Sequence, residues 1–288
     1  MGLIPDKRTY EYLIKHALEE DIGPYDITSK AIVDTERICR AKIVAKEDIV
    51  ASCLFVAKEC FLTFDPNVEF LFCAKEGQEL KKGEYLLEIQ AKTYSVLCVE
   101  RIALNFLQHL CGISTFTKRL VDKVKDLKVT IVDTRKTTPC FRVLEKYAVS
   151  IAGAKNHRFS LFDGILIKDN HIVAVGSIKR AIELCRKEAH HLLKIQVEVS
   201  NKKQIKEAID SGADSLLLDN MVEGKDVTRL KEAVSYARSI SPSILLEASG
   251  GICIDNIREV ALTGIDQISC GCLTHSARSV DISLRILS

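Results

Sequence analysis

A run of seven residues, DTRKTTP (Asp133 to Pro139), places an arginine and a lysine side by side directly after the apolar stretch VTIV. Arginine suits planar, bidentate contact with a carboxylate, and lysine is a compact partner for phosphate. The whole chain carries 41 Lys and Arg against 39 Asp and Glu, so its net charge of +2 gives little long-range attraction to an anion. A basic site must therefore be local, and the pattern predicts that this one binds an anionic ligand.

Later in the chain, polar residues follow further apolar runs in the same way. Lys168 comes directly after GILI, Glu198 lies near the end of KIQVEV, Asp219 ends SLLLD, and the intervening AKNHRFS adds His157 and Arg158. A single such residue is more often a solvated turn residue than a catalytic one, but the ends of parallel strands in a barrel converge on one mouth. The other residues at or just after the ends of the predicted strands are Asp133, Arg135, Lys136, Asp169, Asn170, His171, Asn220, Glu247, Ser249, Gly250, Gly251, Gly271, Thr274 and His275.

Four residues of this set, Arg135, Lys136, Arg158 and Lys168, are cations. In a shared cleft they would repel one another unless an anion lay between them. Glu198 and Asp219 could hold a hard cation such as Mg²⁺ or accept ribose hydroxyls. The stretches ASGGI and GCLTHS place backbone N–H groups where barrels commonly bind a phosphate. We therefore expect one ligand with carboxylates and another with phosphates and a sugar, facing the cations Arg135, Lys136, Arg158 and Lys168.

The elements that must position these residues alternate between apolar strand and amphipathic helix. The predicted strands are VTIVD, GILIK, KIQVEV, SLLLD, ILLEA and QISCG, with helices such as IKRAIELCRKEA, KKQIKEAID and LKEAVSYARSI between them. This alternation predicts a parallel sheet. The segments from Ile205 and Ile257 share a helix, a Gly-x-Asp turn and a strand in register, which favours a barrel or partial barrel. An open doubly wound sheet is the alternative, but no GxGxxG opens a helix.

The first part of the chain follows another pattern. Apolar residues at helical spacing predict a helix from Thr9 to Glu20 that Gly23 ends, and AKIVA, VEFLFCA and YLLEIQ have strand character. The stretch ERIALNFLQHLCGIST is apolar on nearly every face and predicts a buried helix at a domain or subunit boundary.

Composition argues against several classes of function. Trp is absent and aromatic residues make up 6%, so the chain lacks the stacking platforms of a single-strand nucleic-acid binder. The eleven cysteines form no CxxC pair and are interpreted as buried thiols in a reducing compartment. There is no signal-peptide pattern at the start, and no apolar run reaches roughly 18 residues. We expect a soluble cytoplasmic protein with no membrane or nucleic-acid partner.

Seven segments in order resemble the signatures of the quinolinate phosphoribosyltransferase family. They are EEDIGPYDITS, ERIALNFLQHLCGIST, DTRKTTP, LEKYAV, NHRFSLFDGILIKDNHI, ASGGI and ISCGCLTHS. The resemblance implies transfer of phosphoribosyl from 5-phosphoribosyl 1-pyrophosphate to quinolinate with Mg²⁺, giving nicotinate mononucleotide, pyrophosphate and CO2 in de novo NAD biosynthesis. It also implies an α/β fold, with an N-terminal α/β sandwich of residues 1–115, to which residues 276–288 return, and an incomplete, TIM-like α/β barrel of residues 116–275.

The family pattern implies roles for individual residues and an assembly. Quinolinate would be bound by Arg135, His157, Arg158 and Lys168, with Arg101 supplied by the neighbouring subunit of a homodimer or of a larger assembly of dimers. Glu198 and Asp219 would hold Mg²⁺ directly or through water. The implied catalytic residues are Lys136, Lys168, Glu198 and Asp219, and the implied ligands of 5-phosphoribosyl 1-pyrophosphate are Lys136, Glu198, Asp219, Ser249, Gly250, Gly251, Gly271 and His275.

Two departures and two alternatives accompany this resemblance. Cys140 and Tyr25 stand where the family usually has glycine, which puts the shape of two loops in doubt. One alternative is a related phosphoribosyltransferase of molybdenum-transport operons with a different acceptor, from which IKDNHI would separate this chain. The other is an aldolase-type barrel that uses Lys168 as a Schiff-base lysine, a reading that leaves the neighbouring cations without a purpose.

Overall fold

The computed structural model describes residues 3–287, which fall into two compact units. The first unit comprises 3–118, Thr137–Gly153 and 273–287, and the second comprises Arg119–Lys136 and Ala154–Cys272. In the part of the chain that the structure describes, the strands are β1 (Ile38–Ala45), β2 (Ile49–Val50), β3 (Glu69–Cys73), β4 (Glu79–Leu80), β5 (Tyr85–Lys92), β6 (Thr130–Val132), β7 (Ile165–Ile167), β8 (Ile195–Val199), β9 (Ser215–Asp219), β10 (Leu245–Ser249), β11 (Gln267–Ser269) and β12 (Ile282–Leu287). The helices are α1 (Glu11–Ile22), α2 (Ile27–Ile32), α3 (Leu54–Phe64), α4 (Thr93–Val124), α5 (Arg142–Ile151), α6 (Asp169–Val175), α7 (Ile178–Glu188), α8 (Lys202–Asp210), α9 (Thr228–Ile240), α10 (Ile257–Ala261) and α11 (Cys272–His275).

The first unit is built on an antiparallel sheet of four strands in the order β12-β1-β5-β3. The C-terminal strand β12 pairs with β1 from Arg40 opposite Leu287 to Ala45 opposite Ile282. The last residues of the chain therefore complete the sheet of the first unit, because β12 finds its hydrogen-bonding partner there.

The segment Thr137–Gly153 belongs to the first unit by its contacts, whereas the resemblance places it within residues 116–275. Tyr147 of α5 packs edge-on against Phe55, with ring centroids 5.3 Å apart. The carbonyl of Leu144 accepts a hydrogen bond from the Cys53 thiol at 3.8 Å. Ring packing and a hydrogen bond between residues far apart in the chain hold α5 to this unit.

Two helices that lie wholly or mostly in the first unit were predicted from apolar spacing. Helix α1 begins two residues after the predicted start, buries Ile14 and Leu18, and ends at Gly23, whose φ is 55°. Helix α4 contains the predicted buried helix but is 32 residues long. It is long and apolar enough to cross a membrane, yet 67% of its most apolar 18-residue stretch is buried inside the protein. That degree of burial is typical of the core helix of a soluble protein.

The second unit is a parallel sheet of six strands in the order β6-β11-β10-β9-β8-β7. From β7 to β11 the strands follow one another in sequence order, and β6 joins β11, so β6 and β7 are the two edges. This is the strand order of an α/β barrel left open between its first two strands, which confirms the predicted fold class. The doubly wound alternative is wrong, because that fold requires a reversal of strand order that is absent from these six strands.

The internal repeat predicted from the sequence corresponds to two turns of the same construction. Asp214 and Asp266 each follow a left-handed glycine, and each carboxylate accepts a backbone hydrogen bond of 2.7 Å from the neighbouring strand. Each carboxylate also pairs with an arginine on a helix. The two turns therefore link neighbouring elements in the same way. The partners of Asp214 are Ile195 and Arg186, and the partners of Asp266 are Leu246 and Arg238.

The cysteines are unpaired, and their burial corrects the interpretation from sequence. Cys73, Cys140 and Cys253 are exposed, whereas the sequence was interpreted as placing the thiols in the interior. Cys140 adopts a φ of 67°, in the left-handed region that glycine occupies without strain. Its carbonyl accepts a hydrogen bond of 3.1 Å from the Tyr12 hydroxyl. The backbone at this position therefore has the conformation that a glycine would favour, and Cys140 adopts it under strain.

We predict that Cys140→Gly raises the free energy of unfolding by up to about 1 kcal/mol. Glycine removes a left-handed strain of roughly 1–2 kcal/mol but adds chain entropy worth roughly 0.5–1 kcal/mol to the unfolded state. Urea denaturation measures the change. Cys73→Gly, in the extended strand β3, is the control and should lower stability by about 1 kcal/mol. Equal losses in both variants would contradict a strained Cys140.

Candidate active site

Three predicted site residues lie at or near the carboxyl ends of neighbouring strands. Lys168 directly follows β7, Glu198 lies in β8, and Asp219 ends β9. Lys168 Nζ lies 3.1 Å from Glu198 Oε2, and the Glu198 side chain is only 14% exposed. Because β7, β8 and β9 are adjacent and parallel, their carboxyl ends bring these side chains together.

The pKa of Asp219 is shifted by the charged groups that surround it. Burial and the nearby Glu198 carboxylate raise its pKa, and the Asp169 carboxylate adds to this, while the cations Lys168 and Lys136 lower it. Lys136 therefore lies within electrostatic reach of Asp219, although β6 and β9 are not neighbours in the sheet. The four residues predicted as catalytic thus form one cluster of mixed charge.

Arg135 and Arg158 form a second group. Burial lowers the pKa of Arg158, and the nearby Arg135 guanidinium lowers it further, while the Asp163 carboxylate raises it. Arg158 Nη1 donates a 2.8 Å hydrogen bond to the carbonyl of Gly164. A Cβ at position 164 would lie 3.2 Å from the Arg158 Cβ, so glycine leaves room for the arginine. Two guanidinium groups held near each other favour an anion between them.

Asp133 was recognised in the sequence only as a strand-end residue, but the structure gives it a specific task. Its carboxylate is fully buried and accepts hydrogen bonds from Asn156 Nδ2 at 2.7 Å and from the backbone N–H of His157 at 2.8 Å. Asp133 therefore fixes the segment that carries His157 and Arg158. The signal that could have found it is an acidic residue directly after a buried strand, where a carboxylate is costly unless backbone donors satisfy it.

The predicted phosphate loop depends on glycine. Gly250 has a φ of 87°, and a Cβ there would lie 2.2 Å from Asn220 Oδ1. Gly251 has a φ of 67°, and its carbonyl accepts a hydrogen bond of 2.9 Å from Asn256 Nδ2. Ser249 and the residues after it therefore pack closely against the loop after β9, and only glycine fits. Gly271, two residues after β11, belongs to the same unit.

Two predicted residues belong to the first unit. Arg101 lies on α4 with its side chain exposed, and His275 ends α11 with its Nδ1 2.6 Å from Ser276 Oγ. They are therefore not among the residues that the second unit brings together. The first unit also contains a cavity of about 670 Å³, lined by apolar residues such as Phe106 and Phe141, but no predicted site residue lines it.

The fit of the site to Mg²⁺ depends on Glu198 and Asp219. Among residues 3–287, no group of three or more His, Cys, Asp or Glu side chains is arranged to hold a metal ion. Two carboxylates close enough for one to raise the pKa of the other suit a hard cation. Mg²⁺ is commonly bound by one or two carboxylates, with substrate phosphates and water as its other ligands, and these two residues match that arrangement.

Comparison with known proteins covers nearly the whole chain. The model of the quinolinate phosphoribosyl transferase N-terminal domain matches residues 26–111, and that of the C-terminal domain matches residues 113–285. The chain belongs to the quinolinate phosphoribosyltransferase family. A member of this family is a phosphoribosyltransferase, which makes the chain an enzyme and confirms the resemblance drawn from its motifs.

Individual relatives agree with this membership in the quinolinate phosphoribosyltransferase family. A probable nicotinate-nucleotide pyrophosphorylase [carboxylating] of Bacillus subtilis is 42% identical over 95% of this chain and 92% of its own length. The protein of that name from Methanocaldococcus jannaschii is 39% identical over 96% of both chains. The crystal structure of NadC from Streptococcus pyogenes is 38% identical and covers both chains fully with a TM-score of 0.90. The alternatives of a molybdenum-operon transferase and an aldolase find no support among these relatives.

We predict that Asp219→Asn raises the free energy of unfolding at pH 7, by no more than about 1 kcal/mol because the carboxyl is partly exposed. The folded-state pKa of Asp219 is raised, so its ionised form opposes folding above that pKa, and the opposition disappears as the pH falls below the ordinary value near 4. Urea denaturation between pH 4 and 8 measures the difference.

The control for this prediction is Asp255→Asn, an exposed aspartate of the same unit that should change stability by less than about 0.5 kcal/mol at every pH. A stability gain for Asp219→Asn that stayed constant from pH 4 to pH 8 would show that the charge of Asp219 is not its origin.

Proposed function

We propose that this chain transfers the phosphoribosyl group of 5-phosphoribosyl 1-pyrophosphate to quinolinate with loss of CO2, producing nicotinate mononucleotide and pyrophosphate for NAD biosynthesis. The observation that carries the proposal is the cluster in which Lys136 and Lys168 approach Glu198 and Asp219 at the carboxyl ends of the barrel strands. Cations and carboxylates in one place suit a reaction that joins a polyanion to a dicarboxylate and proceeds through a cationic sugar.

Quinolinate carries two carboxylates on adjacent ring carbons and requires cations to hold them. Arg135 and Arg158 supply neighbouring guanidinium groups, which suit bidentate contact with a carboxylate. His157 and Lys168 complete the pocket in this chain. Arg101 of the neighbouring subunit closes it, so the active form is a homodimer or an assembly of dimers.

5-Phosphoribosyl 1-pyrophosphate carries phosphates at both ends of its ribose. Glu198 and Asp219 would hold Mg²⁺ directly or through water, and the bound ion would supply positive charge to the pyrophosphate leaving group. Lys136 pairs with the pyrophosphate as a compact charge. The ligands of the 5-phosphate are the loop residues Ser249, Gly250 and Gly251, with Gly271 and His275.

The chemistry requires positioning more than proton transfer. Departure of pyrophosphate leaves positive charge on the ribose, which the carboxylates Glu198 and Asp219 stabilise. The pyridine nitrogen attacks the ribose, and the adjacent carboxylate leaves as CO2 because the positive ring nitrogen stabilises the carbanion. Lys136 or Lys168 then donates a proton to that carbon. Holding two mutually repelling anions in this geometry provides much of the rate enhancement.

The cytoplasm is the compartment that fits these chemical requirements. Eleven unpaired cysteines, three of them exposed, persist where the environment is reducing. The partners there are the two small substrates, with no nucleic acid or membrane.

The direct test supplies quinolinate, 5-phosphoribosyl 1-pyrophosphate and Mg²⁺ to the pure protein. Nicotinate mononucleotide and CO2 should appear in equal amounts and only with all three additions. Nicotinate in place of quinolinate is the control acceptor and should give no product. Turnover without release of CO2, or a preference for a different acceptor, would overturn the proposal.

We predict that Arg158→Ala raises the KM for quinolinate at least tenfold, because one charge-assisted contact contributes roughly 1.4 kcal/mol or more. Initial rates over a range of quinolinate concentrations measure it. Arg180→Ala, on the exposed face of α7, removes the same charge elsewhere and should leave the KM unchanged. An unaltered KM in Arg158→Ala would remove Arg158 from the quinolinate pocket.

Arg101→Ala and Lys168→Ala should each lose activity, and co-expression of the two chains should restore about a quarter of the wild-type rate. The estimate assumes random pairing, in which half the dimers are mixed and each mixed dimer contains one intact site. The specific activity of the whole co-expressed population measures the recovery, and mixed dimers purified from it should have about half the wild-type rate. Absence of recovery in dimers shown to be mixed would mean that Arg101 does not act across subunits.

A further inference from the structure

The interior of the second unit contains a chain of buried polar side chains. Gln196 of β8 is 8% exposed, Glu247 of β10 is 1% exposed, and Ser269 of β11 is 4% exposed. Barrel interiors are usually filled by branched apolar residues, and an ionised carboxylate is costly to bury unless hydrogen bonds compensate it. Polar residues in these positions therefore need an explanation.

Glu247 is compensated by its neighbours. Burial raises its pKa, but a hydrogen bond from His157, with further hydrogen bonds from Gln196 and Ser269, outweighs the burial and leaves the pKa below its ordinary value. Gln196 Nε2 donates to Glu247 Oε2 at 2.8 Å. The carboxylate is thus the fixed anionic end of the chain of contacts.

The His157 ring forms the next link, and its contacts select one tautomer. His157 Nε2 lies 3.1 Å from Gln196 Oε1 and 3.4 Å from Glu247 Oε2. Its Nδ1 accepts a 2.8 Å hydrogen bond from the backbone N–H of Arg158. Because Nδ1 is an acceptor, Nε2 carries the proton and donates it toward the acceptors Gln196 and Glu247.

The chain of contacts ends at the backbone of Arg158. His157 is held on one side by the Asp133 carboxylate through its N–H, and on the other by Gln196 and Glu247 through its ring. The ring in turn accepts from the Arg158 N–H, which sets where the arginine side chain begins. All of these residues belong to the second unit.

We propose that Glu247 is a positioning residue for quinolinate binding: acting through Gln196 and His157, it fixes the backbone of Arg158 and so directs the guanidinium toward the substrate carboxylates. The inference rests on the proposed function, since it takes Arg158 as a quinolinate ligand. Glu247 does not itself contact substrate. Its removal should weaken quinolinate binding while leaving the site of 5-phosphoribosyl 1-pyrophosphate intact.

The test is Glu247→Gln, which keeps the shape but removes the negative charge toward which Gln196 and His157 donate. The KM for quinolinate should rise roughly fivefold, the effect of losing about 1 kcal/mol of hydrogen bonding. The KM for 5-phosphoribosyl 1-pyrophosphate and kcat should stay within a factor of about two, a split that general structural damage would not produce. Glu188→Gln, on the exposed side of α7, is the control and should change neither KM.

A second variant covers the case in which Glu247→Gln does not fold. Gln196→Met keeps the volume but removes the link, so it should raise the same KM in the same direction. If both single variants fold, the double variant should raise it by less than the product of the single effects, because the residues act through one path.

Three results would overturn the inference: an unchanged quinolinate KM in folded Glu247→Gln or Gln196→Met, an equal rise of both KM values, or multiplicative effects in the double variant. Failure of the proposed function gives a different result, because the wild-type protein would then be inactive with quinolinate. Calorimetric titration of quinolinate into wild type and variants measures the same binding step without turnover.

Discussion

Repulsion between like charges is the constraint on which the second unit depends. Arg135 and Arg158 are close enough for one guanidinium to lower the pKa of the other, and Glu198 raises the pKa of Asp219. Neither arrangement is favourable in the absence of ligand. A hydrogen bond from Arg158 to Gly164 and another from Asn220 to Asp219 position the charged groups, and a bound anion or cation would relieve the repulsion.

Hydrogen bonds and close backbone contacts around the site hold these charged residues in place. The Asp133 carboxylate fixes the N–H of His157, and the carbonyl of Gly164 fixes the guanidinium of Arg158. Left-handed backbone at Gly250 brings the loop after β10 against Asn220. These contacts involve small groups with little freedom to adjust. A site assembled this way exchanges some stability for function.

Some residues other than glycine have a strained backbone. Cys140 and Asn220 both adopt a positive φ, which costs energy for a residue other than glycine. The Asn220 side chain offsets part of this cost, because its Nδ2 donates a hydrogen bond of 2.6 Å to Asp219 Oδ2. At Cys140 the backbone carbonyl accepts a hydrogen bond from the Tyr12 hydroxyl. The strain at Asn220 therefore supports the charged cluster around Asp219, while the strain at Cys140 lies in a loop.

Sequence alone determined the alternation of strand and helix, and with it the parallel sheet, because apolar periodicity reflects which face of each element is buried. It also determined which side chains follow the strands, since position after a strand is a local property. The family followed from the order of the motifs. The assignment of α5 to the first unit did not follow, because the contacts of Tyr147 and Leu144 join residues far apart in the chain.

Only the tertiary structure decided which polar residues act together. Lys136 reaches Asp219 across strands that are not neighbours, and Glu247 reaches Arg158 through two intervening side chains. Gln196 attracts no attention in the sequence, because one glutamine in an apolar strand resembles any surface residue on an alternating pattern. Hydrogen bonds depend on distance and angle in space, and strand register and barrel closure set these only after the whole sheet has formed.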